Sequence, residues 1–245
     1  MRFKFYLFLI FFSGLLSCKK ENMCDCVKSS GPRNVIYHDV KGFTFLEVKD
    51  KMNVYLTQGP EFEVRVEAGR NLQPLIKAEL DGKTLRVFNT NRCNWVRGYK
   101  QEIDVYITAP YFEHIMHRGV GPIKSLNTIT QDLLTCKTAN SGEIRLDLNT
   151  DMILCSAHGN GDIYLTGRVH SLHNDYTGTN YLYAADLKVD SYIYLHSVSI
   201  GHAYVNAPLN GQMDILMEKD GNIYYKGNPS RINLTKNGKG NLIKQ

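Results

Sequence analysis

Proline is scarce in this chain, 7 in 245 residues, and neither sign of charge dominates, since 29 basic and 24 acidic side chains leave a net charge of +5. That excess is too small and too evenly spread to argue for nucleic-acid binding. Beyond the first sixteen residues no apolar run approaches the about 20 residues of a membrane-spanning helix. Also missing are a glycine-rich phosphate loop opening a helix, a nucleophile elbow and a nucleic-acid motif. A length of 245 residues fits one elongated domain or two small ones and excludes a multi-enzyme assembly. What is present is 43% hydrophobic residues, enough for a real core, and 22% charged residues, which argues against global disorder. The 20 Gly and 15 Tyr point to many short strands separated by tight turns and away from a helical bundle.

Met1-Arg2-Phe3-Lys4 is a short cationic start, and the apolar run from Phe5 to Leu16 has the length of a secretory signal. It ends Leu15-Leu16-Ser17-Cys18, which resembles a bacterial lipobox, where cleavage precedes a cysteine that carries the lipid. Residues 1–17 are therefore predicted to be a lipoprotein signal peptide, Cys18 the lipidation site, 18–34 a polar tether and 35–245 a single domain. At ~0.8 kcal/mol per buried methylene, two or three acyl chains would hold that domain at a bilayer. The competing reading is an ordinary cleaved signal with Cys18 as a chance thiol.

Six cysteines minus the lipidated one leave five, so at least one thiol is free or pairs between chains. A bridge from Cys24 to Cys93 would pin the tether to the body, with Cys26 as the alternative partner. The spacing of Cys24 and Cys26, with no second pair and no His nearby, does not make a zinc site.

From residue 112 onward the chain returns to a glycine followed two and four residues later by apolar residues: Gly121, Gly142, Gly161, Gly201, Gly221 and Gly240, with a degenerate copy anchored at Thr179. Successive anchors lie 18 to 22 residues apart, the length of one solenoid coil. Six residues before them stand Ile115, Cys136, Cys155, His173, Leu195, Ile215 and Leu234, at the same parity as the apolar residues after the glycine. Each coil thus holds two short strands around a glycine turn, with even offsets inward and odd offsets outward. The fold class predicted is all-β, a parallel β-helix of about seven coils and roughly 34 Å at the ~4.8 Å strand spacing. An antiparallel sandwich with regular hairpins is the alternative. Cys136 and Cys155 share an inward offset and are expected to stack in the core, with bridging left open. Residues 35–110 alternate as well and are expected to form the first coils and a lid over an otherwise open end, with one helical turn from Asn71 to Ala78.

The order Asn53-Val54-Tyr55-Leu56-Thr57-Gln58-Gly59, Val64-Arg65-Val66-Glu67-Ala68, Asn71-Leu72 through Ile76, Leu85, and Ile103-Asp104-Val105-Tyr106-Ile107-Thr108-Ala109-Pro110 resembles the putative auto-transporter adhesin family with the head GIN domain. The glycine repeats and the ending from Gly227-Asn228-Pro229 to Gly238-Lys239-Gly240 resemble it too, so the likeness spans about residues 35–245. It implies an exported protein or lipoprotein of the Bacteroidota type, located in the cell envelope at the outer membrane, with a β-helical body and no catalytic residues. Thr179, where the family's repeat has glycine, departs from the pattern.

The candidate binding feature is the stripe three residues after each anchor: Arg145, Tyr164, Leu182, Tyr204 and Tyr224, all predicted to face outward in one row. Such a row could contact a glycan or a surface protein, or could only stabilise the sheet. Glu143 and Asp162 sit in adjacent coils at ~5 Å, near the separation of a retaining glycosidase's carboxyl groups, which keeps a polysaccharide-active enzyme as the alternative function. His114 with His117, and His170 with His173, split between core and surface, and no metal or cofactor is expected. The partners expected are the membrane, through Cys18, and a glycan or surface protein, with self-association of the rod left open.

Overall fold

A computed structural model describes residues 29–91 and 102–245, and almost all of their ordered backbone is β-strand. The repeat dictates the architecture. Every anchor makes a corner between two strands, one laid on each long face of a solenoid. The pre-corner face carries β2 (Phe45–Asp50), β6 (Thr84–Asn89), β8 (His114–Gly119), β16 (Gln212–Met217) and β18 (Arg231–Lys236). The post-corner face carries β3 (Asn53–Gln58), β7 (Asp104–Ala109), β9 (Ile123–Ser125), β13 (Leu182–Ala184), β15 (Ala203–Asn206), β17 (Ile223–Lys226) and β19 (Leu242–Lys244). In the middle coils the chain stays extended through the second bend. There β10 (Ile129–Thr138), β11 (Ile144–Gly159), β12 (Ile163–Gly178) and β14 (Leu187–Ser199) each bend from one side of the rod to the next.

Neighbouring coils pair in parallel and in register, so that Ile144, Ile163, Leu182, Ala203, Ile223 and Leu242 form one ladder. Isoleucine and leucine therefore stack on one another along the rod, which is how a coil too small to bury its own apolar side chains gains a core. Cys136 and Cys155 form a rung of the neighbouring ladder, with Sγ atoms 3.3 Å apart, as free buried thiols. The hydrogen-bonded Cys136 thiol, together with burial, pushes the Cys155 thiol well up, which leaves it unreactive.

Seven corners follow in chain order from β8 to β19, and two further coils precede them out of order. β2 and β3 stack directly under β8 and β9, while β6 and β7 lie on the far side of β2 and β3. Antiparallel strands finish that end: β5 (Ile76–Asp81) on β6, and β4 (Glu63–Gly69) on β7, with β1 (Arg33–His38) outside β4. This is the lid expected from the alternating N-terminal segment. The helical turn expected over Asn71 to Ala78 shrinks to a 3-10 turn at Gln73–Leu75, since Ile76 already pairs with Asn89. At the other end the core-facing positions that hold Met217 and Tyr225 in one coil hold Lys236 and Lys244 in the next. Inward cations on a terminal strand are a known way of blunting an open edge.

The corner assigned to Thr179 belongs to Asn180, and this moves two expected residues. Leu182 pairs with Ile163 and Ala203 and is buried at 1% exposure, so it is a core residue and not part of the outward stripe. Asn174, not His173, takes the inward position between Cys155 and Leu195. The corner glycines are needed because there is no room for a Cβ. One added to Gly201 would lie 1.9 Å from the Asn180 carbonyl oxygen, and one added to Gly161 would lie 2.3 Å from that of Gly142. Asn180 keeps its place by turning its amide into the interior, where Nδ2 lies 2.6 to 3.2 Å from the carbonyls of Thr177, Ala157 and Gly159. Cys18, Cys24 and Cys93 lie outside the described residues.

Candidate functional site

With the corner at Asn180, the outward position three residues on is Tyr183, and the row becomes continuous. From Arg145 it runs through Tyr164, Tyr183, Tyr204 and Tyr224 to Ile243. In the other direction it continues through Lys124, Tyr55 and Tyr106 to Arg65 and Tyr37. Sequence periodicity missed the N-terminal half because those coils are not consecutive in the chain.

Strand register at one coil per rung forces the rings into stacks. Ring centroids are 4.5 Å apart for Tyr164 and Tyr183, 5.5 Å for Tyr183 and Tyr204 and 5.0 Å for Tyr204 and Tyr224, with planes within 10° of parallel. Each such contact adds about 0.5–1.5 kcal/mol beyond the area it buries. The Arg145 guanidinium closes one end of the stack, 3.5 Å from the Tyr164 centroid, and Ile243 follows Tyr224 at the other. Tyr55 and Tyr106 make a second stack at 4.9 Å, with the Arg65 guanidinium 4.0 Å over Tyr106. Both faces of Tyr164, Tyr183, Tyr204 and Tyr106 are therefore covered by other rings or by guanidinium. What the row offers to a partner is ring edges and phenolic hydroxyls.

Tyr164, Tyr183 and Tyr204 form the floor of a shallow groove of about 610 Å³, with Ser125, Arg145 and Asp147 among its other walls. Burial is the main cause that raises the phenols of these three tyrosines, so they stay protonated donors at neutral pH. Tyr164 leans toward Asp162 at 3.4 Å, and Tyr224 accepts from Asn222 Nδ2 at 3.1 Å. The hydroxyls of Tyr183 and Tyr204 have no hydrogen-bond partner among the described residues.

The family model described as "Putative auto-transporter adhesin, head GIN domain" matches residues 42–229. The chain belongs to this family. The matched segment holds the tyrosine row from Tyr55 to Tyr224, while β1, β18 and β19 lie outside it. Three solved structures share the fold of this head GIN domain. A putative adhesin from Bacteroides fragilis superposes with a TM-score of 0.80 at 23% identity, covering 87% of this chain and 97% of that one. A putative adhesin from Parabacteroides distasonis gives 0.66 at 17%, covering 88% and 98%. A protein from the same organism named as a putative lipid binding protein gives 0.64 at 16%, covering 89% and 98%. At these identities the likeness speaks for the fold alone. Among curated proteins none matches this sequence. Family and neighbours carry adhesin or binding names, not enzyme names, and an adhesin belongs in the envelope or outside the cell.

Glu143 and Asp162 of this head GIN domain do flank adjacent corners, but each is engaged. Arg145 grips Glu143 through Nε and Nη2, both at 2.8 Å, and this pairing holds the carboxyl below its ordinary range. Asp162 accepts from the Tyr181 backbone N–H at 2.8 Å. A glycosidase general acid needs the opposite, a carboxyl held protonated. No group of three or more His, Cys, Asp or Glu side chains among the described residues could hold a metal ion.

His117 shows what an inward polar residue does at a corner of this protein. Its ring is fully buried, with Nε2 2.5 Å from the Gly121 carbonyl and Nδ1 3.2 Å from the Gly119 N–H. A neutral ring that donates from Nε2 and accepts at Nδ1 satisfies both, and burial pushes its pKa down. On the linkage sign, a depressed folded pKa means the unfolded chain binds the proton first. Stability is then full above the unfolded value of about 6.5 and falls as pH drops below it. Thermal melts from pH 7.5 to 5 should show this fall, and His117→Gln should flatten it. An unchanged slope would remove the assignment. His38, His114 and His173 are also lowered by burial and supply the remaining slope.

Proposed function

We propose that this protein is a lipid-anchored, non-catalytic adhesive module of the outer membrane, held through Cys18, with the tyrosine row of its post-corner face as the contact surface. The observation that carries the reading is the groove over Tyr164, Tyr183 and Tyr204, where two phenolic hydroxyls lie unpartnered on a sheet whose strands are otherwise fully paired. An adhesive role also agrees with the family membership, and lipid anchoring with the run Leu15-Leu16-Ser17-Cys18 after an apolar stretch. Absence of catalysis agrees with the ionised, arginine-bound state of Glu143.

The test uses beads coated with the delipidated protein, placed under flow over immobilised glycans and matrix proteins. Wild-type beads should be retained on at least one surface. The triple variant Tyr164→Ala, Tyr204→Ala, Tyr224→Ala, still folded by circular dichroism, should lose that retention at least tenfold. Equal retention would remove the row from the function. Mass spectrometry of the mature N-terminus, expected to find acyl chains on Cys18, tests the anchor separately.

A further inference from the structure

We propose that the ligand of the row is an extended, uncharged pyranose chain lying along the rod axis. This rests on the adhesive reading above and narrows its ligand. Three features of the row select the chemistry. The first is spacing. Rungs repeat at the ~4.8 Å interstrand distance, whereas an extended peptide returns a side chain to the same face only every ~6.8 Å and falls out of step after one rung. An extended 1,4-linked pyranose chain advances by close to one rung per sugar, so each ring meets one phenolic edge.

The second feature is the absence of a free edge. Around Tyr164, Tyr183 and Tyr204 every strand is paired on both sides, so a peptide cannot add a strand there. Hydroxyl-rich ligands need no such edge, because side-chain donors and acceptors suffice. Tyr183 and Tyr204 offer unpartnered phenols, flanked by Thr166 and Asp147 in the groove wall.

The third feature is charge. The groove carries Asp147 in its lining and Asp162 beside Tyr164, while Arg145 is neutralised by Glu143 and Asp186 by Lys226 at 3.7 Å. A uronate or sulfated chain would bring like charges against these acids, and a neutral chain would not. The covered faces of Tyr164, Tyr183 and Tyr204 also exclude, along the groove, the usual mode in which a sugar lies flat on one aromatic ring, so recognition there falls to edges and hydroxyls.

The experiment is isothermal titration of the purified soluble domain with neutral 1,4-linked oligosaccharides of glucose, xylose and N-acetylglucosamine, two to six sugars long. Polygalacturonate serves as the anionic competitor. For at least one series, affinity should rise from two to about four sugars and then level, matching the four stacked tyrosines. The double variant Tyr183→Phe, Tyr204→Phe keeps the stack and removes only the hydroxyls, and it should weaken binding about tenfold. Polygalacturonate should not compete. No binding in any series, binding indifferent to chain length, equal affinity of the double variant, or displacement by polygalacturonate would each overturn the proposal. Failure here, with bead retention still lost in the alanine triple variant, overturns the ligand class alone. Retention that survives the triple variant overturns the adhesive reading itself.

Discussion

Gly201→Ala is expected to lower the melting temperature by about 6–12 °C, the equivalent of about 3 kcal/mol in a domain of this size. The methyl group would stand 1.9 Å from the Asn180 carbonyl oxygen, with the Thr179 carbonyl oxygen at 2.8 Å. Neither oxygen can retreat, since both belong to the next coil's corner. Gly201 is absent from the positive-φ residues, so its need for glycine is one of space and not of backbone freedom. Gly82 supplies the contrast. It has φ 59° and nothing within 4 Å of an added Cβ, so Gly82→Ala carries only the left-handed backbone cost, about 1 kcal/mol and about 2–4 °C. Differential scanning calorimetry of the two variants checks the ranking. Similar losses would mean that the corners are looser than the stacked carbonyls imply.

The second large effect separates two neighbouring residues. Leu182→Asn should cost about 4 kcal/mol or more, because it leaves a cavity between Ile163 and Ala203 and buries an amide without partners. Tyr183→Asn should cost about 1–3 kcal/mol, the worth of its stacks on Tyr164 and Tyr204 and its looser contact with Tyr181 at 5.9 Å, at a half-buried position. Urea unfolding of both variants gives the comparison. Anchoring the coil at Thr179 would predict the reverse order, with Leu182 outside and Tyr183 inside.

That one-residue difference shows where the sequence was readable. Regular glycines with apolar residues two and four positions later define the coils from Gly121 to Gly240 without ambiguity, and the in-register ladders follow. At the degenerate coil no glycine marks the corner, and the repeat laid on Thr179 puts Tyr181 and Tyr183 at offsets of two and four. The apolar pattern held the better signal: Leu182 and Ala184 fall at offsets of two and four from Asn180, which leaves Tyr181 and Tyr183 outside. An asparagine there works because its amide bonds three corner carbonyls, a tertiary effect that no local pattern displays.

The site was half legible for a related reason. Tyr164, Tyr204 and Tyr224 could be placed in one row from spacing alone. Tyr55 and Tyr106 could not, because β6 and β7 pass to the far side of β2 and β3, and chain order no longer gives spatial order. Cross-strand packing of the rings stood in the sequence only as the alternative to a binding row, and the stacking observed changes the chemistry from faces open to a sugar to edges and hydroxyls. Glu143 and Asp162 were correctly placed in adjacent coils, and the bidentate grip of Arg145 is what removes Glu143 as an acid catalyst.

The claim at the centre of this account is that contact is made through the tyrosine row of the post-corner face. Oxidative footprinting read by mass spectrometry tests it directly, by comparing tyrosine modification in the free protein with that in protein held on a surface that retains it. The row predicts protection of Tyr164, Tyr183, Tyr204 and Tyr224, with Tyr192 and Tyr194 on the pre-corner face unchanged. Protection of Tyr192 and Tyr194 with the row still reactive would contradict it.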